Sequence, residues 1–465
     1  MLEKLLYLAA LLICIYLGVD YSGIYNLKLQ TMKKVLVLCM MLIASAEIFA
    51  QVEPLWIQDT SFVKELYIMK NKFQSLSFTG YLQVQYQKAA SAGITSYNGG
   101  SFAPLSDERF RIRRGRFRLD YERRTDAGFY RYNFALQFDG TERGVNIRDM
   151  FGRIYENKWN CFVATAGVFN RPFGYELNYS SSLRESPERG RMSQILMNTE
   201  RDMGAMLSFE PQDKTNKFYP LKIDAGLFNG QGLTGTGEFD SYKDFIGRIS
   251  LRRTKIASDF YVSGGLSYLN GGFANGSDVF FRAGTGTTGN AAFVPDTSAS
   301  NVNSKSPRIY YGADLQLAWD NAFGRTELRA EIINGTQSAT YSTSVTPGVL
   351  PVNSMSKPEP VFVRSFNGAY FYFLQTFLKK HQVVLKYDWY DANSKVDGNE
   401  LFTADFFGPA DLRYYTFGAG YVYYMNDNLK FVLYYDHPVN EKSALTGYSS
   451  DLKDDTFTIR AQFRF

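Results

Sequence analysis

The chain has 465 residues, and its aromatic content is high, with 38 Phe, 33 Tyr and 4 Trp. Lys and Arg number 51 against 46 Asp and Glu, an excess too small to indicate nucleic-acid binding. Abundant aromatics exclude disorder, and three Cys with two His exclude a multi-cysteine zinc site, an iron–sulfur centre or a disulfide framework. We therefore predict no metal site and no cofactor.

The first fifty residues are typical of leader sequence rather than of folded protein. Residues 32–50 begin Met-Lys-Lys, continue with an apolar run and end at Ala50. This pattern predicts a secretory signal peptide, and the alternative is a membrane anchor. A second apolar stretch within 1–31 is too short to span a bilayer comfortably. Because two consecutive leaders make little sense, we predict that Met32 is the true start and that 1–31 is a misassigned start.

The segment 51–76 follows the leader and precedes the first predicted strand. Phe62, Leu66 and Met69 have the spacing of one helix face. We predict a short periplasmic N-terminal segment without a specific role.

From residue 77 onward, apolar and polar side chains alternate. Between 130 and 138, Tyr and Phe alternate with Arg131 and small or amide side chains, and 457–465 repeats the pattern. Successive strand residues point to opposite faces, so each strand has one apolar and one polar face. Such strands suit a soluble sandwich, with the apolar faces inside, or a membrane barrel, with the apolar faces in lipid.

Strand length and aromatic placement favour the membrane barrel. Many segments are near ten residues, the length that crosses a bilayer at a tilt. Tyr and Phe crowd the strand ends, as in aromatic girdles, and the last residue is Phe465. We therefore predict an all-β, transmembrane antiparallel β-barrel over 77–465 in the bacterial outer membrane. Outer-membrane lipid and, through Phe465, the barrel assembly machinery are its expected partners.

Sixteen strands are predicted, an even number, as single-chain bacterial barrels require. The connections alternate between short turns and long loops rich in Gly, Ser, Asn and Thr, and the count is least certain around 271–307 and 335–360. The predicted strands are 77–87, 108–121, 128–139, 145–156, 160–170, 202–210, 220–229, 243–253, 259–269, 308–319, 324–334, 361–374, 381–391, 412–425, 429–436 and 455–465.

The densest charge cluster is 108–124, with eight Arg and three acidic residues. Strict alternation would place three arginines on each face, but Arg facing lipid at the bilayer midplane costs about 2–4 kcal/mol. A bulge at Gly115 would turn more of them inward. The cluster indicates either an anion track or lumen charges paired with acids. The candidate lumen residues are Arg113, Arg114, Arg116, Arg131 and, at the start of the next region, Arg171.

The stretch 171–201 is the second informative region. Pro172 ends the preceding strand, and a long polar loop follows. We predict an inward-folded constriction loop that narrows the pore. Its candidate residues are Arg184, Arg189, Arg191 and Arg201.

Two sequence segments carry a family resemblance. GVFNRPFGYEL, followed by R-D-M-G, and the strand FRIRRGRFRL resemble the phosphate-selective porin O and P family. The resemblance implies a sixteen-stranded homotrimer whose arginine-lined lumen attracts phosphate or polyphosphate. It further implies that Arg113, Arg114 and Arg116 lie in the wall and Arg171 at the loop base. The loop here differs in being as acidic as it is basic, with Glu176, Glu185, Glu188 and Glu200 and no lysine.

The functional hypothesis is a passive outer-membrane porin for small, phosphate-like anions. No nucleophile elbow, phosphate-binding glycine loop or zinc motif is present, so we predict that it is not an enzyme. His381 and His437 are single and do not suggest a metal or a catalytic base, and 391–400 is a polar loop rather than an EF-hand. The alternatives are a general or sugar-permeable porin, a structural or adhesive barrel, and an outer-membrane barrel enzyme.

Overall fold

The computed structural model describes residues 76–233, 237–286 and 289–465, which belong to one compact unit. The predicted leader, 1–50, and all of the predicted N-terminal segment except Leu76 lie outside the described residues. Those two predictions therefore stay predictions.

Eighteen strands lie within the described residues. They are β1 (Leu76–Ala89), β2 (Glu108–Arg124), β3 (Tyr130–Thr141), β4 (Gly144–Tyr155), β5 (Phe162–Asn170), β6 (Arg201–Phe209), β7 (Leu221–Phe228), β8 (Asp244–Ala257), β9 (Phe260–Ala274), β10 (Phe280–Thr285), β11 (Ala291–Asp296), β12 (Lys305–Asn321), β13 (Gly324–Ala339), β14 (Val361–Phe377), β15 (His381–Asp391), β16 (Arg413–Tyr424), β17 (Leu429–Asn440) and β18 (Thr456–Arg464).

Sixteen of these strands close into one antiparallel barrel. β1 to β9 pair in chain order, β9 pairs with β12, β12 to β18 continue in order, and β18 pairs with β1. The predicted all-β barrel and all sixteen predicted strands are confirmed. The other two strands, β10 and β11, form a hairpin within 271–307, where the sequence left the count least certain. β10 adds to the end of β14 by a short parallel pairing, Phe280–Arg282 against Val361–Val363.

The helical content of the described residues is small. One helix, α1 (Arg191–Leu196), lies in the loop between β5 and β6. No helix among the described residues is long and apolar enough to cross a membrane. Three-residue 3-10 turns lie at Ala299–Asn301, Gly398–Glu400, Thr403–Asp405 and Pro409–Asp411.

The outer face of the barrel is apolar and the inner face of β1 to β6 is polar. In β1, Phe78 and Leu82 are exposed on the outside, whereas Gln83 and Gln85 are buried on the inside. The same alternation leaves large apolar side chains exposed on β3 to β9 and β12 to β18. Exposing so continuous an apolar band to water would be unfavourable, whereas contact with lipid is favourable. The chain is therefore a multi-pass β-barrel of the bacterial outer membrane.

Short turns lie at one end of the barrel and most of the long loops at the other. Two connections are exceptions: the one between β3 and β4 at the loop end has only two residues, and 210–220 at the turn end has eleven. Short turns are periplasmic and long loops extracellular in such barrels, which gives the orientation. The turn end connections are 125–129, 156–161, 210–220, 258–259, 322–323, 378–380 and 425–428, and the loop end connections are 90–107, 142–143, 171–200, 229–243, 275–304, 340–360, 392–412 and 441–455.

Aromatic side chains also line the inside of the barrel, contrary to the prediction that Tyr and Phe belong to the outer face and girdles. The reason is that the loop 171–200, which we call the inward loop, is folded into the barrel and needs an apolar surface to pack on. Its apolar side chains form one buried cluster with side chains of β5, β7 to β9 and β12 to β17. The cluster includes Phe173, Leu177, Met192, Ile195 and Leu196 of the loop and Tyr310, Phe366, Tyr370, Tyr372, Tyr390 and Tyr434 of the wall.

The barrel closes where β18 meets β1, and Phe465 covers that seam. The backbones of Gly80 and Phe465 exchange hydrogen bonds of 3.2 and 3.1 Å. A Cβ atom at Gly80 would lie 2.4 Å from the Phe465 ring and 2.7 Å from the Arg116 carbonyl oxygen. Only glycine at position 80 therefore leaves room for the last residue.

We predict that Gly80→Val destabilises the closed barrel by about 1–3 kcal/mol, the usual cost of overpacking. The measurement is urea unfolding in detergent. The fraction of folded barrel is read from the difference in gel mobility between unheated and heated samples. Gly152→Val on β4 is the matched control, because no atom lies within 4 Å of its Cβ position. Equal stability of both variants would contradict the proposed seam.

Candidate functional site

A β-bulge at Arg113 turns additional arginines of β2 into the lumen. Gln83 of β1 pairs with Arg114 and Val84 pairs with Ile112, so that Arg113 has no partner on β1. The bulge predicted at Gly115 is wrong, because Gly115 pairs regularly with Leu82. A bulge depends on the register of two strands, and the sequence of β2 alone does not show where the extra residue sits.

A second bulge turns an additional arginine of β4 into the lumen. Gln137 of β3 pairs with Asp149 and Phe138 pairs with Ile147, which leaves Arg148 as the extra residue. Each bulge thus supplies one arginine beyond the regular alternation. Both arginines reach carboxylates of the inward loop.

Glu188 of the inward loop is held by three wall arginines. Nε of Arg113 lies 2.6 Å from its Oε1, and Nη2 of Arg114 lies 2.6 Å from its Oε2. Nη2 of Arg460 on β18 lies 3.3 Å from Oε1. The Glu188 side chain is only 6% exposed. A buried carboxylate is tolerable only with such partners, so the ion pairs hold the loop against β2 and β18.

Two further glutamates attach the loop elsewhere. Glu200 accepts from Arg148 and lies 3.5 Å from Arg189 Nε and 3.6 Å from Arg201 Nη1. Glu185 binds Arg329 of β13 through two hydrogen bonds of 2.9 and 3.0 Å. The loop is therefore fastened to three separate parts of the barrel wall.

The charges around Glu188 and Glu200 decide their protonation. Burial alone would raise the pKa of Glu188, but Arg113, Arg114 and Arg460 outweigh it and hold the pKa well below its ordinary value. Burial likewise opposes ionisation of Glu200, and its neighbouring arginines again lower the pKa strongly. Both groups are thus carboxylates at neutral pH.

Glu176, Arg189 and Arg184 organise the loop internally. Glu176 accepts hydrogen bonds from the Gly190 backbone N–H at 3.0 Å and from the Ser193 hydroxyl at 2.6 Å, at the start of α1. Arg189 donates to the carbonyls of Ser193 and Met197 near the end of α1. Arg184 is buried and donates to the Tyr179 carbonyl at 3.4 Å.

Arg191 and Arg201 hold the inward loop on either side of Glu200. Arg191 packs over the rings of Tyr414 and Tyr97, at 3.6 and 4.6 Å from their centroids. Arg201, predicted within the loop, is instead the first residue of β6 and binds Asp149 at 2.7 Å. The pairing of β6 with β5 begins at Arg201, which moves the loop boundary back by one residue.

The remaining predicted lumen arginines have separate environments. Arg116 binds Asp139 at 3.1 Å and the Ser181 hydroxyl at 2.8 Å. Arg171 is buried and donates to the Thr199 carbonyl, at the base of the loop. Arg131 lies on the inward phase of β3 near the turn end and forms no ion pair with any residue that the structure describes.

The open space lies on the opposite side of the inward loop, along β1 to β8. One cavity of about 590 Å³ is next to the turn end and another of about 390 Å³ borders β4 to β8. They share Arg118, Tyr179 and Arg201, among others, and we call them together the passage. Toward the loop end, residues 95–98 and 188–191 border a small cavity of about 30 Å³.

Cationic side chains exceed carboxylates along the passage. Five cations and two carboxylates line the smaller cavity, and four cations and two carboxylates line the larger one. Arg153, Lys222 and Arg248 were missed by the sequence reasoning. The sequence feature that could have identified them is that each lies on the polar face of an alternating strand. The cations are Arg116, Arg118, Arg153, Arg201, Lys222, Arg248 and Arg464, and the carboxylates are Asp149, Glu200, Asp224 and Asp427.

No protein-family model matches the chain, and no curated protein sequence matches it. Solved structures do match. OprB of Pseudomonas putida is 10% identical, with a TM-score of 0.52 over 86% of this chain and 96% of that chain. OmpT of Vibrio cholerae in its trimer form is 10% identical, with a TM-score of 0.47 over 84% of this chain and 99% of that chain. A mutant porin of Rh. blastica is 11% identical, with a TM-score of 0.41 over 84% of this chain and 100% of that chain.

The likeness to OprB shows the fold. The chain has the closed sixteen-stranded barrel of outer-membrane porins. The phosphate-selective family that the sequence resembles is not confirmed by these comparisons. Among the described residues, no group of three or more His, Cys, Asp or Glu could hold a metal ion.

We predict that Glu188→Gln loosens the inward loop, because it leaves the buried Arg114 and Arg460 and the partly exposed Arg113 without their carboxylate, at a cost of about 3–5 kcal/mol. Trypsin should then cleave within 171–200 and the single-channel conductance should rise. Glu142→Gln, in the exposed turn between β3 and β4, is the control and should behave like the wild type. A Glu188→Gln barrel with wild-type conductance and trypsin resistance would show that this carboxylate does not hold the loop.

The pH dependence follows from the lowered pKa values of Glu188 and Glu200. A depressed pKa contributes stability that is present above the ordinary value of 4.5 and is lost as the pH falls through the folded-state pKa. The loop should therefore stay attached from pH 8 to pH 4.5, and trypsin-sensitive sites should open only after exposure to more acidic buffer. Loop release between pH 6 and pH 7 would disagree with the ion pairs described.

Proposed function

We propose that the protein is a passive porin for small anions, with the passage between the inward loop and β1 to β8 as its permeation path. One observation carries the proposal: cationic side chains outnumber carboxylates in both cavities of the passage. Charges of one sign in a cleft with low-dielectric walls raise the local concentration of the opposite ion. Selectivity arises from such lining charges together with the width of the constriction.

The glutamates of the inward loop support the same proposal by their position. Glu176, Glu185 and Glu188 are buried against the wall or within the loop and do not line the passage. Only Glu200 borders it, and this carboxylate is shared among Arg148, Arg189 and Arg201. A loop that is as acidic as it is basic in sequence therefore presents little negative charge to a passing solute.

Phosphate or polyphosphate is the anion class that we propose. Guanidinium groups match phosphate with a planar fork of donors. Arg113 and Arg114 are committed to Glu188, so that Arg116, Arg118 and Arg201 are the guanidinium groups of β2 and β6 that border the passage. Part of the anion path predicted from the sequence thus serves to hold the loop.

Two partners belong to this proposal. The homotrimer rests on the family resemblance of 108–205. Recognition by the barrel assembly machinery rests on Phe465, which is exposed at the end of β18 beside Gly80. The trimer is tested by purification from the outer membrane, where it predicts a detergent-resistant species of about three times the monomer mass.

A structural or adhesive barrel is the second candidate. The small volume of the cavity at the loop end, about 30 Å³, favours it, since little open space there would block the lumen. Such a barrel would show no conductance in planar bilayers. A general or sugar-permeable porin would conduct without preferring anions.

The proposal predicts a reversal potential that favours chloride and phosphate over potassium in planar bilayers. Lys222→Glu should lower the anion-to-cation permeability ratio, because Lys222 lines the passage. Lys357→Glu, in the exposed loop 340–360, is the matched control and should change the ratio little, since salt screens distant surface charges. A cation preference of the wild type, or no conductance, would refute the proposed function.

A further inference from the structure

The inward loop presents a pair of stacked tyrosines to the passage. Tyr175 and Tyr179 have ring centroids 5.2 Å apart, with an angle of 22° between the rings. Their backbones form one turn, in which the Tyr179 N–H donates to the Tyr175 carbonyl at 2.9 Å. Both rings are partly exposed and line the cavity of about 390 Å³.

Contacts behind the tyrosines hold the pair in place. The guanidinium of Arg329 lies 4.7 Å from the Tyr179 ring centroid and is itself paired with Glu185. The Tyr179 hydroxyl donates to Glu185 at 3.2 Å. Between the tyrosines, the Asn178 side chain donates to the carbonyls of the loop start, including Phe173 at 3.0 Å. The pair is therefore a pre-positioned surface rather than a mobile one.

The opposite side of the same cavity is charged. Arg118, Arg201, Lys222 and Arg248 line it from β2, β6, β7 and β8. Asp149 accepts from Arg118 at 3.0 Å and from Arg201 at 2.7 Å. Arg118 also pairs with Asp120, which is not part of the cavity lining, and five cations face two carboxylates in the lining itself. A solute in this cavity meets an aromatic surface on one side and an excess of cations on the other.

We infer that the cavity is a binding subsite for a small anion that carries a ring, of which a hexose phosphate is the representative. The apolar face of the ring packs on Tyr175 and Tyr179, and the phosphate is bound by the cations of the opposite wall. Inorganic phosphate has no apolar ring face to pack on the tyrosines. A neutral sugar has no negative charge to pair with the cations. The inference rests on the proposed anion porin and names the substrate class of its passage.

Block of the single-channel chloride current tests the subsite. The probes are glucose 6-phosphate, inorganic phosphate and glucose, each titrated against the purified full-length barrel in planar bilayers. Glucose 6-phosphate should block at the lowest concentration. Replacing both rings, Tyr175→Ser with Tyr179→Ser, should lower the ratio of affinities for glucose 6-phosphate and inorganic phosphate about two- to tenfold, the range of one aromatic contact.

Two further variants separate ring contact from loop architecture. Tyr179→Phe keeps the ring but loses the hydrogen bond to Glu185, and it should retain the affinity ratio. Tyr242→Ser, in the loop 229–243 and outside both cavities, is the matched control. If Tyr179→Phe lowers the ratio as much as the serine variant, the hydroxyl and not the ring determines binding, and the inference is wrong.

The remaining outcomes distinguish the subsite from the proposed function. Equal block by glucose 6-phosphate and inorganic phosphate, in a channel that prefers anions, overturns the subsite and leaves the anion porin intact. Equal block by glucose and glucose 6-phosphate overturns the subsite as well and indicates a sugar channel. A channel without anion preference refutes the proposed function itself.

Discussion

The arrangement of the lumen depends on ion pairs between carboxylates of the inward loop and arginines of the wall. Glu188 and Glu200 are buried, and a buried carboxylate without cationic partners would be too costly to ionise. The two bulges at Arg113 and Arg148 supply partners that regular strands would have directed toward lipid. The wall arginines likewise need carboxylate partners, because Arg114 and Arg460 are buried too. Loop and wall therefore neutralise each other.

The inward loop is amphipathic with respect to the barrel. Its apolar residues, such as Phe173 and Met192, pack on the aromatic inner face of β12 to β17, while its glutamates reach β2, β4, β13 and β18. Apolar packing and ion pairing thus fix the loop from different sides. The space that remains lies along β1 to β8, and its lining keeps the cations that the loop does not neutralise. Where the loop is attached decides where a solute can pass.

Alternation of side chains predicted the strands, and strand length with aromatic placement favoured a membrane barrel over a soluble sandwich. The period of two located all sixteen strands, and Pro172 with the polar stretch after it located the loop that folds inward. Alternation also identified the polar phase of β3, with Asn133 and Gln137 buried on the inside. These features are local in sequence, which explains why one chain alone revealed them.

Features that depend on two distant segments were not predictable. The bulge at Arg113 is defined by the register with β1, and Gly115 was a misleading signal. The pairing of Glu188 with Arg460 joins residues 272 positions apart. Likewise, the aromatic inner face of β12 to β17 follows from the presence of the loop, and nothing in the strands themselves distinguishes lipid from loop as the apolar partner. The passage residues Arg153 and Lys222 could be recognised only once the position of the loop was known.

The position of the inward loop is the central claim, and a distance measurement between spin labels tests it most directly. Labels are attached at Leu183→Cys on the loop and Asp427→Cys in the turn between β16 and β17, both exposed positions, in a background in which Cys14, Cys39 and Cys161 are replaced by Ala. The ion pairs and the apolar contacts predict one narrow distance distribution in detergent that is unchanged between 0.1 M and 1 M salt, because buried pairs are little screened. A broad distribution, or one that shifts with salt, would contradict a loop held in place by buried carboxylates.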